Sequence, residues 1–344
     1  MKARGMSKMA KWFCDANAGD DVVISTRIRL ARNLKGIPFP GAMTQKDALL
    51  VIEKVEHALE EMNYTFTRLD MSKTSPAQKQ KLVEERLISP AFAKSTLPCA
   101  AYISEDECIS IMVNEEDHIR IQCIYAGYES KKAYELISKV DDYFAEKLDY
   151  AMHEKYGYLT SCLTNVGTGM RISYMVHLPS IVMTGASDSI FSTVGKMGVT
   201  VRGMYGEGTK SSGNIFQISN QTTLGRSEVE IADSLNETLE KVIEKERELR
   251  TKLSQKQGAI LEDRIFRSLA ILKSARVISG KETLERISDV RLGVGIGLID
   301  GVEYSKLNNI MIISSPAHIA FDYGEEDPSS RDIKRAQIIR DALN

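Results

Sequence analysis

"VVISTRIRLARN", Val22 to Asn33, is the stretch on which the fold turns. Its β-branched residues predict a strand, and in a strand alternate side chains point to opposite faces. Val22, Ile24, Thr26, Ile28 and Leu30 then share one face, and Val23, Ser25, Arg27 and Arg29 the other. The first set predicts the floor of a core. The second puts two guanidiniums roughly 6 to 7 Å apart along one face. Their repulsion is unhelpful there unless an anion lies between them.

Outward from this strand, "CISIMVN" (108–114) and "HIRIQCI" (118–124) alternate with period two and predict adjacent strands joined by the acidic turn "EED". Helical spacing of Leu49, Ile52, Val55 and Leu59 predicts a helix over 45–63, and "SPAQKQKLVEERLI" (75–88) reads as another amphipathic helix. A third, around 131–149, carries Tyr134, Ile137, Val140, Phe144 and Leu148 on one side. A Gly-rich, strand-rich region follows at 157–224. The helix from about Ser227 to Leu253 opens with a capping box, Ser227 and Glu230. Near "SQKQGA" (254–259) a domain boundary is expected. The chain then divides into a lead-in (1–20), a larger domain (21–254) and a mostly helical C-terminal domain (255–344). The fold class is α+β, with a largely antiparallel sheet flanked by helices.

Bulk composition narrows the function. The 344 residues are 43% hydrophobic and 27% charged, which is ordinary for a globular protein. Lys+Arg 45 against Asp+Glu 47 leaves a formal charge of -2, so nucleic acid is not an expected partner and any anion site must be local. No apolar run approaches the roughly 20 residues that span a bilayer. The N-terminus lacks a signal-peptide core, so a cytoplasmic location away from membranes is expected. Five cysteines (Cys14, Cys99, Cys108, Cys123, Cys162) and five histidines show no C-x-x-C or H-x-x-x-H spacing, and neither disulfides nor a protein-held metal is expected.

The Arg27/Arg29 pair has company. Arg120 lies between Ile119 and Ile121, Arg171 follows the turn "GTG" beside Ile172, and Arg202 ends "GVTVR". A lone arginine on a strand is ordinarily solvated or ion-paired. Four separate strand sites placing arginine on a polar face are harder to assign that way. Guanidinium forks match phosphate oxygens in bidentate fashion, and such a cluster would neutralise a transferring phosphoryl group. Glu115, Glu116 and Asp117 read first as a wet acidic turn, but beside Arg120 a carboxylate could orient a cationic acceptor and take its proton. No G-x-x-x-x-G-K-[ST], H-R-D or D-F-G occurs, which excludes P-loop enzymes and eukaryote-type protein kinases.

"STRIRLARN", "VNEEDHIRI", "NVGTGMR" and "VRGMYGEGT", in this order, resemble the catalytic blocks of the guanidino (phosphagen) kinases. "RGMYGE" (202–207) and "RDIKRA" (331–336) resemble the family's bacterial branch that acts on arginine side chains of proteins. The resemblance covers about residues 21–254 and reaches into the tail. It implies ATP as phosphoryl donor, with Mg²⁺ carried on the nucleotide phosphates. Ser25, Thr26, Arg27, Ile28, Arg29, Arg120, Arg171 and Arg202 would hold the phosphates. Ile172, Ser173, Tyr174, Met175, Gly203, Met204, Tyr205, Gly206 and Glu207 would complete the nucleotide site. Arg86 stands where a family member carries histidine, in the region that contacts nucleotide. Glu116 matches the catalytic base, Glu207 would grip the acceptor guanidinium from its other side, and Arg202 belongs to the catalytic set. Cys162, a core thiol by its own reading, falls at the family's reactive cysteine.

Only about twenty residues precede the first arginine block, where the small-molecule enzymes carry a helical domain. A site without that cover would admit an arginine on a protein surface. "RDIKRA" reads by itself as a solvated helix end. The resemblance implies instead a phosphoarginine pocket made by Arg331, Asp332, Ile333, Lys334, Arg335 and Ala336 that tunes activity. It further implies protein substrates with exposed arginines, a homodimer joined through the helical region, an activator protein, and links to a stress-response repressor and a Clp-type protease. The alternatives are a kinase of free arginine and a catalytically silent phosphoarginine-binding adaptor.

Overall fold

The computed structural model describes residues 21–62, 64–203 and 211–344. Ten strands are present among them: β1 (Val23–Arg32), β2 (Phe66–Asp70), β3 (Ala100–Ser104), β4 (Ile109–Val113), β5 (Ile119–Ala126), β6 (Met152–His153), β7 (Gly157–Tyr158), β8 (Met170–His177), β9 (Val199–Gly203) and β10 (Ile215–Asn220). Eight form one antiparallel sheet in the order β2-β3-β4-β5-β1-β8-β10-β9, and β6 pairs with β7 separately. The strand that opened the sequence reading is thus central. Its neighbours come from 119–126 and 170–177, the two blocks that carry Arg120 and Arg171.

One face of the sheet packs against α1 (Gln45–Glu60), α3 (Ser130–Lys147), α4 (Pro179–Met183), α5 (Ser187–Lys196) and the first half of α6 (Glu228–Ser274). Ile28, Leu30, Ile172 and Tyr174 lie in this core, against Val55, Ile137, Phe144 and Leu239. Each such aliphatic or aromatic side chain contributes about 1.5–3 kcal/mol by leaving water. A second core covers part of the other face. It joins Ile24, Ile124 and Met175 to α2 (Pro76–Glu84), the end of α6, and the helices α7 (Gly280–Gly295), α8 (Tyr304–Ile313) and α10 (Pro328–Leu343). Between α8 and α10 lies α9 (Pro316–Tyr323), which packs on α2. Among the described residues no helix is long and apolar enough to cross a membrane.

The strict alternation read for β1 needs one correction. The β1–β8 register shifts between Val23 and Ser25. A bulge of this kind breaks the alternation, so that Val22 stays with Ile28 and Leu30 as expected but its two successors change faces. Val23 therefore joins the core of Ile28 and Leu30, while Ile24 belongs to the opposite core. Arg27 and Arg29 stay on the face expected for them. The capping box of Ser227 and Glu230 is present, but α6 runs on to Ser274. The boundary expected at 254 falls inside this helix, three residues before Gln257, whose φ of -134° and ψ of 29° interrupt it.

Candidate active site

Residues paired across an antiparallel ladder point to the same face. Arg27 pairs with Ser173 and Ile124, Arg29 with Arg171 and Gln122, and Ala31 with Arg120. Arg202 pairs with Gln217, which pairs with Met175, which pairs with Ser25. Register alone thus brings five arginines from four strands to one face. Arg27, Arg29, Arg120, Arg171 and Arg202 line a single cavity of about 380 Å³ together with Glu116 and Cys162.

The arginines are held mostly by neutral groups. Arg27 Nη2 donates to Gln217 Oε1 at 3.0 Å and its Nε to Ser173 Oγ at 3.4 Å. Arg171 Nη2 donates to Ser219 Oγ at 3.2 Å. The Nε atoms of Arg29 and Arg171 are buried with no hydrogen-bond partner. Among the described residues, Arg120 alone of the five has a carboxylate within 4 Å. Burial, then repulsion by Arg120 and Arg171, pushes the Arg29 guanidinium down to about 9. Burial, then Arg29, Arg86, Arg120 and Arg171, pushes Arg27 well below its ordinary value. Arg171 is lowered by burial and then by Arg202 and Arg120. Uncompensated cationic charge with unused donors fits a polyanion such as a nucleotide's phosphates.

The turn between β4 and β5 divides labour between its acids. Glu115 has a side chain only 4% exposed; it binds Arg120 Nη2 at 2.7 Å and accepts from Ser89 Oγ at 2.6 Å. Glu116 is 45% exposed, 3.2 Å from Arg120, and on the cavity wall. Glu115 fixes the turn, while Glu116, paired with Arg120, stays exposed on the cavity wall. Asp117 is fully buried, and its Oδ1 accepts from Asn33 Nδ2 at 2.6 Å and from the Ser161 backbone N–H at 2.7 Å. One carboxylate so ties the end of β1 to the loop bearing Cys162. The Cys162 Sγ lies 3.0 Å from Thr164 Oγ1.

Arg171 is aimed by the "GTG" turn before it. A side chain at Gly169 would overlap the Ala31 carbonyl and the Arg32 guanidinium, at 2.6 and 2.7 Å. Buried Arg32 donates to the Thr168 carbonyl at 2.8 Å and pairs with Asp141 at 2.6 Å. A larger crevice of about 960 Å³ shares Arg27 and Gln217 with the arginine-lined cavity. Its other walls include Val83, Arg86 and Ile88, and, from the C-terminal helices, Leu284, Met311 and Ser314. Arg86 has a φ of 62°, and its carbonyl accepts from Gln122 Nε2 at 2.7 Å.

Not every expected contact survives. The side chains of Thr26, Ile28, Ile172 and Tyr174 point to the face away from the cavity. Ile28, Ile172 and Tyr174 are core residues, and Thr26 Oγ1 donates to the Gly127 carbonyl at 2.7 Å. Strand alternation makes this unavoidable once Arg27, Arg29, Arg171 and Ser173 face inward. Met204, Tyr205, Gly206 and Glu207 lie outside the described residues, and Gly203 ends β9. "RDIKRA" sits in the first turns of α10 and is not simply solvated. Arg335 is 2% exposed, pairs with Asp332, and donates to the carbonyls of Ser314 and Ile278 at 2.7 and 3.1 Å. Arg331 donates to the Glu326 carbonyl, Lys334 lies over the Tyr323 ring, Ile333 is exposed and Ala336 buried. Sequence reading missed Gln217, Asn33, Asp117 and Arg32, whose roles depend on partners far along the chain.

A model of the ATP:guanido phosphotransferase C-terminal catalytic domain matches residues 50–249. A model of the protein-arginine kinase McsB C-terminal domain matches residues 258–344. The chain is 44% identical to a protein-arginine kinase of Bacillus pumilus over 97% of its length and 93% of the relative's. It is 46% identical to one from Caldanaerobacter subterraneus, covering 94% and 97% of the two chains. Among solved structures, lombricine kinase is similar with a TM-score of 0.61 over 70% of this chain and 71% of that one, at 24% identity, a likeness of fold. The duplicated taurocyamine kinase of Schistosoma mansoni gives a TM-score of 0.60 at 26% identity over 66% of this chain, which spans 33% of that longer protein.

Proposed function

The chain belongs to the ATP:guanido phosphotransferase family, alongside the protein-arginine kinases, and on that premise we infer that it transfers the γ-phosphate of ATP to arginine side chains of proteins. The observation that carries the reading is the convergence of five arginines, Glu116 and Cys162 on one cavity.

The chemistry follows from the acceptor. A guanidinium with a pKa above about 12 is a poor nucleophile while protonated. Glu116, exposed at the cavity wall, faces it with a carboxylate that takes one proton as the new N–P bond forms. The bond from the γ-phosphorus to its bridging oxygen breaks, and ADP leaves with that electron pair. Arg27, Arg29, Arg120, Arg171 and Arg202 stabilise charge on the donor phosphates, with Arg27 already positioned by Gln217 and Ser173, Arg120 by Glu115 and Arg171 by Ser219. Glu207 is proposed to hold the acceptor from its other side. Mg²⁺ would add charge neutralisation through the nucleotide phosphates with water as its other ligands. Among the described residues no group of three His, Cys, Asp or Glu side chains could hold a metal. The adenosine is assigned to the larger crevice, with Arg86 on its wall.

We further propose that Arg331, Asp332 and Arg335 respond to phosphoarginine. In the same proposal the chain acts as a cytoplasmic homodimer, and its products are steered to a Clp-type protease during stress. The central experiment incubates the protein with ATP and either an unfolded protein or free arginine, read by mass spectrometry under non-acidic conditions. Phosphoarginine on the protein is expected. Its absence there, with free arginine phosphorylated, would reassign the substrate.

A further inference from the structure

The loop that carries Cys162 holds a leucine in water. Leu163 is 87% exposed, although Cys162 before it and Thr164 after it both line the catalytic cavity. The loop is not slack. The Ser161 N–H is tied to Asp117, Thr160 Oγ1 donates to the Cys162 carbonyl at 2.8 Å, and the Asn165 N–H donates to the same carbonyl at 2.9 Å. Thr223 Oγ1 bridges the carbonyls of Thr164 and Val166 at 2.9 and 2.7 Å. Leu224, the next residue, is 52% exposed.

Single exposed leucines are ordinary. Two lie on cross-tied segments, and Leu163, flanked on both sides by cavity residues, stands at the cavity rim on a loop fixed in place beforehand. A rigid contact surface binds with little ordering entropy left to lose. Taking the leucine out of water is favourable, and a polypeptide can supply the apolar partner where a free amino acid cannot.

We propose that Leu163, with Leu224 on the segment tied to its loop, selects among arginines by taking up an apolar side chain of the same substrate polypeptide, and this rests on the protein-arginine kinase reading above. The occupant is an extended segment, in which residues two apart share a face. With its arginine directed into the cavity, the residues two positions before and after it are presented to the rim. The favoured acceptor is therefore an arginine with a leucine-like residue two positions away, of the kind that unfolding exposes.

The test uses the full chain, ATP and peptides containing one arginine among serines. One peptide carries leucine two positions either side of the arginine, one carries it at the adjacent positions, and one carries none. The first is expected to be preferred over the third by about tenfold in kcat/KM, the scale of apolar-contact discrimination. Leu163→Ser should erase that preference and leave the leucine-free peptide within about twofold, while Leu163→Met should keep it. Equal rates for the three peptides with the unsubstituted protein would overturn the proposal, as would an undiminished preference in Leu163→Ser. Failure to phosphorylate any peptide, with free arginine accepted, would instead overturn the underlying reading and this inference with it.

Discussion

Arg29 faces Arg171 directly across the β1–β8 ladder, an arrangement that like charges disfavour. Relief of that repulsion should show in the free protein. Arg29→Met is expected to raise its stability by about 1 kcal/mol, because a buried charge that Glu115 and Glu116 offset only from a distance gives way to an apolar chain of similar length. The same change should remove most of the thermal stabilisation that ATP confers, measured by paired melts with and without nucleotide. Arg86 offers a second separation of stability from function. Its φ of 62° is a conformation glycine adopts freely, so Arg86→Gly should leave stability unchanged or raise it by up to about 1 kcal/mol. Nucleotide affinity should fall, and equilibrium binding of ATP checks it. The arginines were legible in sequence because charge on a strand face is unusual and period two places them together. Gln217 and Asp117 were not, since their partners Arg27 and Asn33 lie 190 and 84 residues away.

At the level of elements, α7 does work that helical periodicity could not disclose. Its Ser288 hydroxyl is 2.9 Å from Asn214 Nδ2 and 2.8 Å from His177 Nε2, so the helix grips the ends of β8 and β10 at once. At its other end, the Ile278 carbonyl just before the helix accepts from Arg335 of "RDIKRA". Contact with the sheet is close enough to require a glycine. A side chain at Gly213, where φ is 67°, would meet the Leu284 carbonyl at 2.8 Å. Gly213→Ala is expected to cost about 1–3 kcal/mol through strain and displacement of α7. It should lower turnover as well, because Ser212 and Leu284 both line the crevice proposed for the nucleotide. Denaturant unfolding alongside a kinase assay measures both. Strands, their antiparallel pairing and most helix positions could be read from residue patterns. The β1 bulge and the run of α6 past Leu253 could not, since the first depends on packing against β8 and the second on the C-terminal helices.

For the molecule as a whole, the junction between sheet and C-terminal helices sets a pH limit. His177 is buried there, and burial, followed by Arg291 and Arg250, holds its imidazole well below the ordinary range. The unfolded chain takes up a proton near pH 6.5 while the folded chain does not, so stability falls as pH drops below about 6.5, by up to about 1.4 kcal/mol per unit. His118 is lowered by burial too and adds to the slope. Urea midpoints should decline between pH 7 and 5.5, and the decline should be shallower in His177→Asn. The core behind this junction joins Ile24 at one end of the chain to Leu343 at the other. The larger crevice beside it has Met311 and Pro316 among its walls. During synthesis the crevice therefore cannot close until α8 and the start of α9 have been made. A chain cut short after α6 would carry the five arginines of the sheet without the C-terminal walls of that crevice.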